Sequence, residues 1–197
     1  MTKAEKTKDY IIEKSAPIFN KKGYAGTSLT DLMESTGLTK GAIYGNFINK
    51  NEVALAVYNY NVTSLNTKIS IALCTKETAR DKLIAFTDFY RKNWKTMFEK
   101  GGCPILNASI EADDNLPCLK KSVQSSITTW VDTISTIIEQ GKANGEFKSS
   151  IISADYAYAI IMLIEGGIML SKIMNNQHLL FSAMDRIEVI INQEIIK

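Results

Sequence analysis

Residues 26–58 read GTSLTDLMESTGLTKGAIYGNFINKNEVALAVY, and the punctuation inside this run decides the fold. Ser28 offers a hydroxyl to the free amides of a new helix, and Asp31 three residues on can reach back, a variant of the capping box that predicts a helix over about Leu29 to Ser35. Gly37 follows, the residue best suited to the positive φ of a tight turn. Thr39 then caps a third short helix reaching Phe47, and Asn49 with Glu52 opens a fourth through Tyr58. Upstream, Tyr10, Ile11, Ala16, Ile18 and Phe19 keep near-helical spacing over Lys3 to Lys21, closed by Gly23.

Two short helices around a glycine turn are the outline of a helix-turn-helix, whose second helix enters the major groove of DNA. The groove is about as wide as one helix with its side chains, so small and hydrogen-bonding residues belong on its outer face. Ala42, Ile43 and Phe47 have the spacing to pack inward, which leaves Lys40, Gly41, Tyr44, Gly45 and Asn46 outside. A helical hairpin alone also occurs in proteins that never touch DNA. The full run is more specific. It resembles the DNA-binding segment of the tetracycline-repressor (TetR) family, where a threonine-initiated helix, a glycine turn, an aromatic recognition helix and a lysine at the start of helix four recur in this order.

That resemblance covers about residues 8 to 60. It implies phosphate contacts from Thr27, Ser28, Thr39, Tyr44 and Lys50, with Lys40, Gly41 and Asn46 closest to base edges. The family often carries a second aromatic and a histidine after the first tyrosine, whereas this chain has Gly45 and Asn46, so no base preference transfers. The family's mechanism is also implied: a homodimer holds a palindromic operator until a small-molecule inducer shifts the population away from the DNA-binding state, with helix four as the link.

Composition agrees with this reading and excludes several others. The 197 residues are 45% hydrophobic with three prolines, enough for a packed core and long helices. Residues 1–50 carry eight lysines and five acids, a net of +3, while the remainder carries fifteen bases and sixteen acids, a net of −1, which places the positive excess where phosphate is expected. His178 is the one histidine, and there is no GxSxG, HExxH or phosphate loop, so enzymatic activity, a metal and a cofactor are not expected. Cys74, Cys103 and Cys118 lack CxxC spacing. The charged start is unlike a signal peptide and no apolar run approaches the ~20 residues of a membrane span, so a cytoplasmic protein without membrane contact is expected.

The remainder reads as long helices, and the fold expected is all-α with about nine helices: a helix-turn-helix domain over 1–48 and a ligand-binding, dimerising domain over 49–197. The segment GGCPILNASIEADDNLP (101–117) interrupts the stripes with about two turns of helix from Pro104 to Ala112, and within it GC-x-x-x-N looks like a segment found in one subset of the family. Phe86, Phe89, Tyr90, Trp94 and Trp130, with Asn107 and Glu111, are candidates to line the ligand pocket. Two final helices, about Ser153 to Met174 and Gln177 to Ile196, carry apolar faces; Ile160, Ile164, Gly167, Ile187 and Ile191 are the expected dimer interface. Cys103, ahead of a helix start, suggests an alternative in which oxidants, electrophiles or a protein partner control DNA binding.

Overall fold

The computed structural model describes residues 1–115 and 117–197, with backbone alone at 113–115 and 118. Among the described residues there are nine α-helices: α1 (Lys3–Lys22), α2 (Leu29–Thr36), α3 (Lys40–Tyr44), α4 (Lys50–Cys74), α5 (Ala79–Glu99), α6 (Pro104–Asn115), α7 (Pro117–Ala143), α8 (Ser153–Ile173) and α9 (His178–Val189). No extended strand is present among them, and an isolated antiparallel bridge joins Phe147 to Ile196.

Capping chemistry sets the short helices. Thr2 and Glu5 form a complete capping box ahead of α1, and Ser28 and Asp31 form another ahead of α2. Gly37 closes α2 in the left-handed region at φ 67°, its amide donating to the Met33 carbonyl. The Thr39 hydroxyl accepts from the Ala42 amide at the start of α3. That helix ends at Tyr44, three residues before the expected Phe47, because the Gly45–Phe47 amides turn back on Gly41 and Ile43 in a loosened final turn.

The last helix differs more. Where one helix to Ile196 is expected, α9 stops at Val189 and a π-helical turn runs Ile190–Ile195. Ile190, Ile191 and Ile195 are all buried in this turn.

The chain divides into two compact units, Met1–Leu65 with Lys100–Gln124, and Asn66–Glu99 with Ser125–Lys197. This differs from a boundary at residue 48: α4 as far as Leu65, all of α6 and the start of α7 fold with the helix-turn-helix. In the first unit Ile11, Phe19, Tyr24, Leu32, Ile43, Phe47 and Tyr58 are buried, and Phe19, Tyr24 and Tyr58 form a chain of ring contacts. The second unit is built on Leu83, Phe86, Tyr90, Trp130, Ile134, Ile164, Leu180 and Ile187, all buried.

α8 is long and apolar enough to cross a bilayer by length and composition, contrary to the expectation of no such run. One face of it packs on α9. A Cβ at Gly167 would lie 2.9 Å from the Ala183 Cβ, and the Leu180 amide donates to Ser171 Oγ at 2.6 Å. Gly167 therefore permits a close approach within the chain, not the approach of a second copy.

Candidate nucleic-acid interface

The recognition element is held from below and open above. Leu32, Ile43 and Phe47 are buried, while Thr39, Lys40 and Gly41 are exposed and Tyr44 is half-buried. Nothing lies within 4 Å of where a Gly41 Cβ would be, so the outer surface of α3 is free. Ser28 is exposed, its hydroxyl engaged with Asp31.

Three expected DNA contacts make bonds within their own chain. Thr27 is fully buried and its hydroxyl donates to the Gly23 carbonyl at 2.6 Å, so it shapes the turn ahead of α2 and presents nothing to phosphate. Asn46 folds its amide back to the Ala42 carbonyl at 2.9 Å. Lys50 Nζ donates to the Ala25 carbonyl at 3.1 Å, and an ammonium has further donors for a phosphate oxygen. Sequence reasoning also missed Ile48, which is 87% exposed between the recognition helix and Lys50.

Charge around the motif is organised by pairs. Lys22 beside Asp31, together with the Ser28 amide and hydroxyl, holds the Asp31 carboxyl down at about 2, and the same pair raises Lys22. The Glu52 carboxyl is lowered by the Ile48 amide and then by Lys8, which lies 3.1 Å away. Glu52 therefore reaches one residue further back than the expected capping box, to Ile48, while its own amide donates to Asn49 Oδ1. Lys8 also sits 4.8 Å from the centroid of the Phe47 ring, which ties α1 to the end of the recognition turn.

The expected ligand residues separate into two groups. Phe86, Phe89, Tyr90 and Trp130 are buried and their rings meet edge to face, while Trp130 Nε1 donates to Asn66 Oδ1 at 2.8 Å. Trp94 is half-buried against Phe98 and Phe181. Within the same unit an open groove of about 570 Å³ is lined by Ser70, Leu73, Lys82, Thr129, Asp132 and Ile137 among others, none of them on the expected set. Asn107 and Glu111 instead bond to α1 and the turn after it: Asn107 Nδ2 donates to the Asn20 carbonyl at 3.0 Å, and Glu111 accepts from the Tyr24 and Ala25 amides.

The five residues expected at the dimer interface lie in the interior of the single chain. Ile160, Ile164, Gly167, Ile187 and Ile191 are buried inside their own unit. The outward face of α8 carries Tyr158, Met162, Met169 and Ile173, with Met162 65% and Ile173 75% exposed. Gly166 lies among them, and a Cβ there would meet nothing within 4 Å. The helical spacing of this second stripe was present in the sequence; periodicity alone could not say which stripe α9 covers.

Cys103 is 0% exposed, which bars an oxidant or electrophile from its sulfur and removes the support for the thiol-sensor alternative. Cys74 is exposed. Among the described residues no cluster of His, Cys, Asp and Glu is placed to hold a metal.

Known proteins resemble this chain along its whole length. Residues 11–57 match the family model described as bacterial regulatory proteins, tetR family, and residues 79–187 match the model for the tetracyclin repressor-like C-terminal domain. A TetR-family transcriptional regulator from Cytophaga hutchinsonii, known by crystal structure, is 36% identical with a TM-score of 0.95, covering 100% of this chain and 98% of that one. An uncharacterised HTH-type transcriptional regulator from Lactococcus lactis is 27% identical over 91% of this chain and 90% of its own length. The HTH-type transcriptional repressor DhaR of Mycobacterium sp. is 21% identical over 86% of this chain and 84% of its own.

Proposed function

This chain belongs to the TetR family of bacterial regulatory proteins, and we propose that it is a ligand-responsive repressor that grips a palindromic operator as a homodimer and lets go when a small molecule binds. The family is one of regulators and is not an enzyme class. The observation that carries the reading is α3, packed from beneath through Ile43 and bare above at Thr39, Lys40 and Gly41. α4 starts in the first unit and ends in the second, so it joins the reading unit covalently to the unit that takes the ligand. Its tilt is the quantity a ligand would bias. Such a protein works where the DNA is, in the cytoplasm.

The exposed stripe Tyr158, Met162, Met169 and Ile173 supports the dimer, because an apolar helix face of this kind needs cover and the bare backbone at Gly166 allows a second α8 to come close. The groove of about 570 Å³ in the second unit is of the size small-molecule sites have. Its threonines, Asp132 and Lys82 suit a ligand with hydrogen-bonding groups.

Selection of bound duplexes from random DNA should recover a palindrome with half-sites about one helical turn apart. Lys50→Ala should then weaken binding to every sequence and lower the salt slope by about one. Failure to select any palindrome would remove the operator reading; an unchanged slope would remove Lys50 from the phosphate contacts.

A further inference from the structure

Glu111 lies on α6, far in sequence from the helix-turn-helix, yet its carboxylate accepts from two consecutive amides of the turn that leads into α2. Tyr24 N donates to Oε1 at 2.9 Å and Ala25 N donates to Oε2 at 2.7 Å. The location is electrostatically unfavourable for α1, whose C-terminal end repels a negative charge. Two charge-assisted hydrogen bonds outweigh that repulsion, so the carboxylate serves the turn and not the helix. Gly23, at φ 80°, makes the approach possible, because any Cβ there would overlap the Glu111 carboxylate.

The same turn is gripped from its other side. The Ala25 carbonyl accepts from Lys50 Nζ at 3.1 Å, and Thr27 bonds back to the Gly23 carbonyl through both its hydroxyl and its amide. Three residues after Ala25 stands Ser28, the cap of α2. α6 itself is stitched to the end of α1: Asn107 Nδ2 donates to the Asn20 and Gly101 carbonyls, while Asn20 Nδ2 donates to the Lys100 and Gly102 carbonyls. The Gly102 carbonyl and the Asn107 amide of the GC-x-x-x-N segment thus belong to the bonds that fix the start of α6, the helix that carries Glu111, against the end of α1.

We propose that Glu111 is a positioning residue for DNA binding, holding the 23–26 turn so that the Ala25 carbonyl aims the Lys50 ammonium and Ser28 stands at the correct height. This rests on the DNA-binding reading above. Plain electrostatics predicts the opposite consequence, since removing a negative charge near phosphates should tighten binding. The sign of one substitution therefore decides between them.

The experiment uses the full-length protein and the duplex it selects, with affinities expressed per active dimer from stoichiometric titration so that loss of folded protein does not enter. Glu111→Gln should bind about fivefold to tenfold more weakly, because an amide can accept from only one of the two N–H groups. Glu111→Asp, which keeps the charge and loses the reach, should weaken binding in the same direction. Combined with Lys50→Ala, Glu111→Gln should add clearly less than its effect alone, because part of that effect acts through Lys50, and its own salt slope should fall by up to about one. Amide exchange at Tyr24 and Ala25 should quicken in both Glu111 variants. Wild-type or tighter affinity in folded Glu111→Gln, or full additivity with Lys50→Ala, overturns the proposal. A wild-type protein that selects no DNA overturns the functional reading first, and this inference with it.

Discussion

Gly166 and Gly167 are adjacent in one helix, and replacing each by alanine should move stability in opposite directions. In a helix interior alanine is favoured over glycine by about 1 kcal/mol at either position. At Gly166 the new methyl meets nothing of its own chain, so the full gain of about 1 kcal/mol should appear. At Gly167 it would lie 2.9 Å from the Ala183 Cβ, 3.2 Å from Leu180 Cδ1 and 3.3 Å from the Leu180 Cα, all inside ordinary carbon contact. Leu180 Cα cannot retreat without moving α9 and loosening the 2.6 Å hydrogen bond to Ser171. Overpacking of this kind costs about 1–3 kcal/mol, which leaves Gly167→Ala about 0–2 kcal/mol less stable than wild type. The measurement is urea unfolding in a Met162→Glu, Met169→Glu background, where dimerisation does not contribute. With a slope of about 2 kcal/mol per molar, the two variants should differ in midpoint by roughly 0.5–1.5 M. Equal midpoints would refute the packing argument and return Gly167 to the surface. If the proposed dimer forms through this face, Gly166→Ala without the methionine substitutions should raise the dimer dissociation constant, because the methyl would enter the space a second α8 needs.

The background pair is itself a test. Met162→Glu with Met169→Glu should sediment as a soluble monomer, whereas Ile187→Glu or Ile191→Glu should unfold the second unit; a soluble dimer from the methionine pair removes the proposed interface. Asp31 carries a pH dependence of defined sign. Its folded pKa of about 2 lies below the ordinary value of about 3.9, so its stabilisation is complete above pH ~4 and is lost as pH falls toward 2. The stability gap between wild type and Asp31→Asn should therefore narrow on acidification from pH 7 to pH 3, and a widening gap contradicts the assignment. Alkylation of the native protein should label Cys74 and spare Cys103 until denaturant is added; prompt native labelling at Cys103 would contradict its burial.

Much of the first unit was legible in the sequence because its determinants are local. A capping box needs two residues three apart, and Ser28 with Asp31 forms the one expected. A left-handed turn favours a glycine, and Gly37 adopts it. The resemblance over residues 8–60 rests on these same features, and the family match over 11–57 falls within that span. Surface chemistry at the interface was less legible. Thr27 has the hydroxyl of a phosphate ligand and Asn46 the amide of a base reader, yet each turns its polar group onto its own backbone. Composition cannot reveal that choice, which depends on where the Gly23 and Ala42 carbonyls lie.

The sequence by itself determined the helical class, the order of the helices and the helix-turn-helix outline, since each follows from spacing within a few turns of chain, while the family came from the resemblance of the 26–58 run. Only the tertiary structure decided which of two apolar stripes on α8 is covered and which is bare, that Asn107 and Glu111 bond to the end of α1 and the turn after it, and that Cys103 is buried. The physical reason is common to all of these. Helical periodicity states that a face is apolar but not what it meets, and a polar side chain finds its partner through contacts between residues as far apart in sequence as Tyr24 and Glu111, which no local pattern encodes.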